Sequence, residues 1–345
     1  MASTLEEVAE LAGVSRSTVS RVINNHPNVR DKTRERVWEA VRQSGYKPNV
    51  VARSLVTNRT QIISMVIPEA VTSIFTDPFF PLLLCGTTEA CNAHHYQLLL
   101  SLFTAATDFQ EMYDRLLHSG YADGVIVASA PIDDCLISYL LRDGVPFVSV
   151  GRHTDERVHY VDIDNVGGAR MAVDHLVRQG HRRIGTITGR LDIASGQDRL
   201  KGYRQALEAR GIPVDEDLIV KGDFTEESGM TAIRELLPSD ATAVFVASDT
   251  MAAGAMRALR TAGLSVPQDI SVVGFDDTSI ASAVEPALTT VRQPIERLGA
   301  MAVDVLVGIL QNPPEQNATV HRILIPTELI VRASCGTPAL AGNRS

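Results

Sequence analysis

The stretch LAGVSRSTVSRVIN, residues 11–24, sets Arg16, Ser17, Ser20, Arg21 and Asn24 along one side of a short helix and Val19, Val22 and Ile23 along the other. Ser15 stands where a helix N-cap belongs, and Gly13 marks a turn that needs positive φ. Upstream, Leu5, Val8, Ala9 and Ala12 repeat at helical spacing behind Thr4 and Glu7, a capping box. Downstream, NNHPNVR reads as a loop, and Asp31 opens a third helix with Val37, Ala40 and Val41 on one face, ending near Gly45. Val19, Val22 and Ile23 are expected to pack on Val8, Ala9 and Val41, with small Ala9 allowing a close crossing. A helix held this way offers its polar face to a DNA major groove. There Arg16 and Arg21 are expected to bond guanine O6 and N7, and Ser17 and Ser20 to reach bases or phosphates. Thr4, Ser15 and Asn24 are placed for phosphates beside helix N-termini.

The overall charge hides this face. The chain has 345 residues and a net charge of −9, yet residues 1–60 hold ten Lys/Arg against six Asp/Glu and the remainder 22 against 35. A basic head on an acidic body suits a nucleic-acid reader joined to another module. The length allows two or three domains. No apolar run reaches the ~18 residues needed to cross a bilayer. MASTLEEVAE has neither a basic start nor an apolar block, so a secretory signal is not expected. Cys85, Cys91, Cys135 and Cys335 form no C-x-x-C pair, which suits reduced thiols in a cytoplasmic protein. No G-x-S-x-G, P-loop, H-E-x-x-H or post-strand G-x-G-x-x-G occurs, and His94–His95 are adjacent and make a poor metal pair. No enzyme activity, metal or cofactor is expected.

From Thr60 onward, IISMVI, QLLLSLF, GVIVAS and PFVSVG alternate with amphipathic stretches, and RIGTIT, AVFVAS and SVVGF repeat the rhythm with helices near 166–179, 195–210, 226–237 and 250–262. That pattern predicts parallel sheets covered on both faces, in two lobes. ALTTVRQP and RILIPTELI fall late, where the chain can cross back between lobes. Ligands of such cores sit between lobes at strand carboxyl ends. Ser129 follows GVIVA, Ser248 and Asp249 follow AVFVA, Asp276 and Asp277 follow SVVGF, and Arg199 opens DRLKGYRQAL. Carboxylate facing guanidinium suits the vicinal hydroxyls of a sugar, with ring faces from Phe79, Phe80 and Phe224. The competing readings are plain ones: Asp249 and Asp277 as helix caps, Phe80 as core, and Arg199 as a bridge between lobes.

The head sequence TLEEVAELAGVSRSTVSRVINNHPNVRDKTRERVWEAVRQSGYKPNVVARSL resembles the DNA-binding head of the LacI/GalR family of transcriptional regulators. The resemblance continues through DPFF (77–80), DGVIV (123–127), HLVRQGHRRIG (175–185), RLKGYRQAL (199–207), SDTMAAGAMRAL (248–259), VVGFDD (272–277) and LTTVRQP (288–294). It implies an all-α helix-turn-helix domain over residues 1–48, a hinge helix and linker over 49–60, and an α/β core over 61–345. That core is of periplasmic-binding-protein type, two doubly wound parallel-sheet lobes. The expected first lobe spans about 61–160 plus 292–325, and the second about 161–291 plus 326–340.

The family likeness further implies a homodimeric repressor on a pseudo-palindromic operator, controlled by a small carbohydrate; a purine corepressor is the alternative. It places effector contacts at Phe79, Phe80, Ser129, Arg152, Asp164, Arg199, Phe224, Ser248 and Asp276. Ser248 departs from the asparagine common in the family, which shortens its reach. In the hinge, Leu55 is the expected minor-groove wedge, with Arg53 near the backbone. Seven hinge residues with two valines cannot hold a helix alone in water, so the hinge is expected to fold when two copies pair on DNA. SCGTPALAGNRS carries no leucine heptads, so a tetramer through a C-terminal bundle is not expected.

Overall fold

The computed structural model describes residues 4–23, 26, 28–46, 59–68, 71–102, 121–132, 135–312 and 319–338. The chain divides into two compact units, a head formed by Met1–Gln61 together with the short segment Gly120–Asp123, and a core formed by Ile62–Ser119 and Gly124–Ser345.

Among the described residues the head has three helices, α1 (Leu5–Ala12), α2 (Arg16–Ile23) and α3 (Asp31–Ser44). The expected capping box opens α1: the Glu7 amide donates to Thr4 Oγ1 at 3.3 Å, and the Thr4 amide to Glu7 Oε2 at 3.3 Å. Gly13 ends α1 at φ +59°, where the Val14 amide turns back to the Ala9 carbonyl at 3.0 Å. Arg36 of α3 donates to the carbonyls of Ala12 and Gly13, fixing this turn from outside. Ser15 Oγ accepts the Thr18 amide at 3.2 Å and so caps α2. Val8, Val19 and Val37 are wholly buried at the centre, with Ala9, Ala12, Val22, Ala40 and Val41 around them. Ile23, expected inside, is only partly buried at the edge of this small core.

The core contains two six-stranded sheets. In chain order its strands are β1 (Ile62–Ile67), β2 (Gln97–Leu102), β3 (Gly124–Ala128), β4 (Phe147–Val150), β5 (Tyr160–Ile163), β6 (Ile184–Thr188), β7 (Ile219–Lys221), β8 (Ala243–Val246), β9 (Ser271–Asp276), β10 (Thr289–Arg292), β11 (Arg322–Ile325) and β12 (Glu328–Ile330). The first sheet runs β11-β5-β4-β3-β1-β2 and the second β12-β10-β9-β8-β6-β7. All described pairings are parallel except β10 with β12. The helices are α4 (Val71–Thr76), α5 (Phe79–Ala93), α6 (Cys135–Arg142), α7 (Asn165–Arg178), α8 (Ala194–Ala209), α9 (Glu226–Leu236), α10 (Asp249–Thr261), α11 (Ser279–Ala283) and α12 (Ile295–Gln311). Strands β3, β4, β6, β8 and β9 are buried at every position, the reason β3 and β8 read as unbroken apolar runs rather than alternating ones.

The chain crosses between lobes three times: after β5, after β10 and between β11 and β12. β5 carries the first lobe to Ile163, past the expected boundary near 160, because a four-residue strand with a central Asp162 gives little apolar signal. Two crossings lie side by side, since the Asp164 amide donates to the Ile325 carbonyl at 2.9 Å. Helix α12 packs on α5 at near contact: a Cβ on Gly86 would lie 1.9 Å from the Glu296 carbonyl oxygen, so only glycine allows this approach. No helix among the described residues is long and apolar enough to cross a membrane.

Candidate functional site

On the head, Arg16, Ser17 and Arg21 are exposed on the side of α2 opposite Val19 and Val22, with Ser20 half-buried between them. Arg16 makes a 3.1 Å ion pair with Glu6, both side chains more than 60% exposed, so the guanidinium can leave it at little cost. Ser15 Oγ lies 2.8 Å from Ser17 Oγ and 2.9 Å from Thr18 Oγ1, which orients the hydroxyls at the start of the helix. Thr4 is exposed at the N-terminus of α1. Asn24, Arg53 and Leu55, and with the latter two the expected hinge helix, lie outside the described residues.

The second site is a cleft of about 270 Å³ in the core unit, at the carboxyl ends of strands from both lobes. Of the expected effector residues, Phe79, Phe80, Ser129, Arg152, Arg199, Phe224 and Asp276 line it. Phe79 and Phe80 meet edge to face, with centroids 5.3 Å apart. Phe80 is buried in the main core and also lines the cleft. Ser129 (φ +57°), Phe224 (φ +73°) and Asp276 (φ +115°) hold left-handed backbone, which costs non-glycine residues on the order of 1–3 kcal/mol each. Each follows or ends a strand and lines the cleft.

Arg199, on the first turns of α8, organises the floor. Its Nε donates to Asn165 Oδ1 at 2.9 Å, and its Nη1 to the Ala247 carbonyl at 2.5 Å and to Asp276 Oδ1 at 3.2 Å. Its guanidinium lies 3.8 Å above the Phe275 ring. Gln293 Nε2 donates to Asp276 Oδ1 at 2.5 Å, and Asn165 Nδ2 to Asp162 Oδ1 at 3.1 Å. Asn165 and Gln293 stand at two of the inter-lobe crossings, so this network ties the lobes together at the cleft base. Arg152, after β4 of the first lobe, forks onto Asp198 of α8 at 2.9 and 2.8 Å. Burial pushes the Asp276 carboxyl well above the ordinary carboxylate range, against the pull of Arg199, and pushes Asp162 up to about 6. Burial also raises Asp77, whose Oδ1 accepts the Phe79 amide at 3.1 Å. The same burial lowers Arg199, with Asp276 opposing the shift.

Two expected contacts fall elsewhere. Asp164 is exposed and caps α7, accepting the Gly167 amide at 2.8 Å. Ser248 is buried and caps α10, accepting the Met251 amide at 3.2 Å, and it does not line the cleft. In both cases the helix N-terminus claims the oxygen that the ligand was expected to use. Asp249 is no cap: as the first residue of α10 it accepts the Thr290 hydroxyl at 2.6 Å and the Thr278 amide at 2.8 Å inside the second lobe. Asp277 is held by Arg332 at 2.6 Å and Arg292 at 2.7 Å, and caps nothing. Asp77, Asp162, Asn165 and Gln293 also line the cleft and were not singled out from the sequence. Signals existed for three of them: Asp77 stands in DPFF and Gln293 in LTTVRQP, two stretches that carry the family likeness, and Asp162 lies near the end of a strand in YVDI.

Residues 4–49 match the family described as bacterial regulatory proteins, lacI family, and residues 173–335 match the periplasmic binding protein-like domain. The chain is 42% identical over 336 residues to the HTH-type transcriptional regulator CelR of Thermobifida fusca, covering 96% of this chain and 98% of that protein. It is 37% identical over 325 residues to the HTH-type transcriptional repressor PurR of Edwardsiella ictaluri, covering 92% and 94%. A solved complex of the regulator CelR with cellobiose matches with a TM-score of 0.75 at 41% identity, covering 96% of this chain and 99% of that one. The lac repressor dimer bound to operator and the anti-inducer ONPF matches with a TM-score of 0.83 at 30% identity, covering 97% and 99%.

Proposed function

This chain belongs to the lacI family of bacterial regulatory proteins and is a DNA-binding transcriptional regulator rather than an enzyme, and on that premise we propose that it is a cytoplasmic repressor switched by a carbohydrate. Two copies bind a pseudo-palindromic operator, each presenting α2 to a major groove. Arg16 and Arg21 read bases, Ser17 and Ser20 reach bases or backbone, and Thr4, Ser15 and Asn24 hold phosphates. Arg53 and Leu55 act in the hinge, Leu55 as a minor-groove wedge.

The effector is a small sugar held between the lobes. The observation that carries this reading is the floor of the cleft, where Arg199, Asn165 and Gln293 supply donors and Asp162 and Asp276 acceptors beside the rings of Phe79, Phe80 and Phe224. Alternating donors and acceptors under apolar faces match the two sides of a pyranose, whose hydroxyls ring its edge and whose C–H groups cover its faces. The complex of the relative CelR with cellobiose supports the same class and makes cellobiose the first compound to try. Because Asn165 and Gln293 sit at lobe crossings, a ligand gripped by this network draws the lobes together. That closure shifts the first lobes of the dimer and changes hinge pairing, with a coupling of typically ~1–3 kcal/mol.

A purine corepressor is the competing reading, favoured by the similarity to PurR. Calorimetry with cellobiose, glucose, hypoxanthine and guanine separates the two. Gel shifts on a sequence selected from random DNA, with and without the bound compound, give the direction of control. Binding of a purine and of no sugar would refute the carbohydrate reading.

A further inference from the structure

We infer that the cleft admits neutral sugars and rejects sugar phosphates and sugar acids, because every arginine lining it is already matched to a carboxylate and acidic groups remain over. This rests on the carbohydrate reading above and specifies its substrate class. Three arginines line the cleft among the described residues. Arg152 forks onto Asp198 at 2.9 and 2.8 Å, Arg190 onto Asp192 at 3.0 and 2.5 Å, and Arg199 pairs with Asp276 at 3.2 Å. A fork of two parallel bonds is the strongest arrangement an arginine makes with a carboxylate, and a phosphate would have to displace it. His153 also lines the cleft, but its Nδ1 accepts the Asp155 amide at 3.1 Å and burial lowers its pKa, so it adds no cation near neutral pH.

The lining acids outnumber these cations. Glu226 pairs outward with Arg257 at 2.8 Å. Asp77, Asp162 and Asp223 stand in no ion pair among the described residues and accept from neutral donors: the Phe79 amide at 3.1 Å for Asp77, the Arg152 amide at 3.0 Å and the Asn165 side chain at 3.1 Å for Asp162, and the Thr225 hydroxyl at 2.6 Å for Asp223. Neutral donors solvate a carboxylate without cancelling its field. An incoming anion therefore meets negative charge that Arg199 and Arg190, each already paired to another carboxylate, offset only from a distance. A neutral sugar meets no such cost, and its hydroxyls donate to those same acid oxygens.

The test is isothermal calorimetry on the full-length protein at pH 7.5 with matched pairs: cellobiose against cellobionate, glucose against glucose 6-phosphate and glucuronate, ribose against ribose 5-phosphate. For whichever neutral sugar binds, the anionic partner is expected to bind at least about 100-fold more weakly, the effect of one like charge some 6 Å away at an effective dielectric near 20. In Asp77→Asn and Asp162→Asn, isosteric changes that each remove one charge, the ratio within a pair is expected to narrow. An anion binding within tenfold of its neutral partner, or more tightly, overturns this inference and leaves the carbohydrate reading standing. If no sugar of either charge binds, the carbohydrate reading falls and this inference falls with it.

Discussion

Replacing Arg199 with methionine removes the one cation from the floor of the cleft while nearly preserving its volume. The Arg199 and Asp276 side chains are only 6% and 5% exposed. The substitution leaves Asp276 with a buried charge, and Asn165 Oδ1 and the Ala247 carbonyl lose a donor. Removing one partner of a buried ion pair costs about 3–5 kcal/mol, far more than the net worth of the pair itself. For a core of this size that corresponds to a fall of roughly 6–20 °C in the core transition. Differential scanning calorimetry reads it directly. Trp38, the single tryptophan, lies in the head and reports only on that unit.

The loss carries a pH signature. Burial holds the folded-state pKa of Asp276 above its unfolded value, and losing Arg199 raises it further. A carboxyl raised on folding adds stability below its unfolded pKa and loses that stability as pH rises through the folded value. The deficit of Arg199→Met is therefore larger at pH 8 than at pH 5. Adding Asp276→Asn removes the stranded charge, keeps an oxygen for Gln293, and restores at least about 1.5 kcal/mol. A single variant that loses under about 1 kcal/mol, or a double variant no more stable than the single, would show that Arg199 is not the element that balances this network.

Other consequences are equally direct. Gly86→Ala should destabilise the core by more than about 2 kcal/mol, because backbone rather than a flexible side chain blocks the added methyl; a urea midpoint close to wild type would argue that α5 and α12 separate easily. Arg16→Ala should relax base preference at one position per half-site in a selection from random DNA while shifting head stability by under about 0.5 kcal/mol, since its pair with Glu6 is exposed; an unchanged selected sequence means that Arg16 reads no base. Asp249, whose pKa burial lifts to about 7, adds stability below its unfolded pKa near 4 that is lost as pH rises through about 7. Asp249→Asn, which can still accept from Thr278 and donate to Thr290, should gain on wild type from pH 5 to pH 8; parallel stability curves for the two proteins would contradict that reading.

The helix-turn-helix was legible because its determinants are local. Thr4 and Glu7, Gly13, and the opposed faces of residues 16–23 each act within one or two turns, where spacing in sequence is spacing in space. Strands β3 and β8 were legible for a similar reason, since total burial leaves an unbroken apolar run. Strand ends, together with the family likeness, pointed to Arg199, Asp276 and Phe224 at the cleft. The sequence could not decide between two uses of the same oxygen. Asp164 and Ser248 look like ligand contacts, but each precedes a helix whose first amides must be satisfied, and the cap takes them. Asp162, Asn165 and Gln293 reach the cleft only because the chain crosses between lobes at those points, bringing residues more than a hundred positions apart into one hydrogen-bonded chain through Arg199 and Asp276. No local pattern encodes that meeting, so the cleft's chemistry and the charge that shapes its selectivity were settled by the tertiary structure.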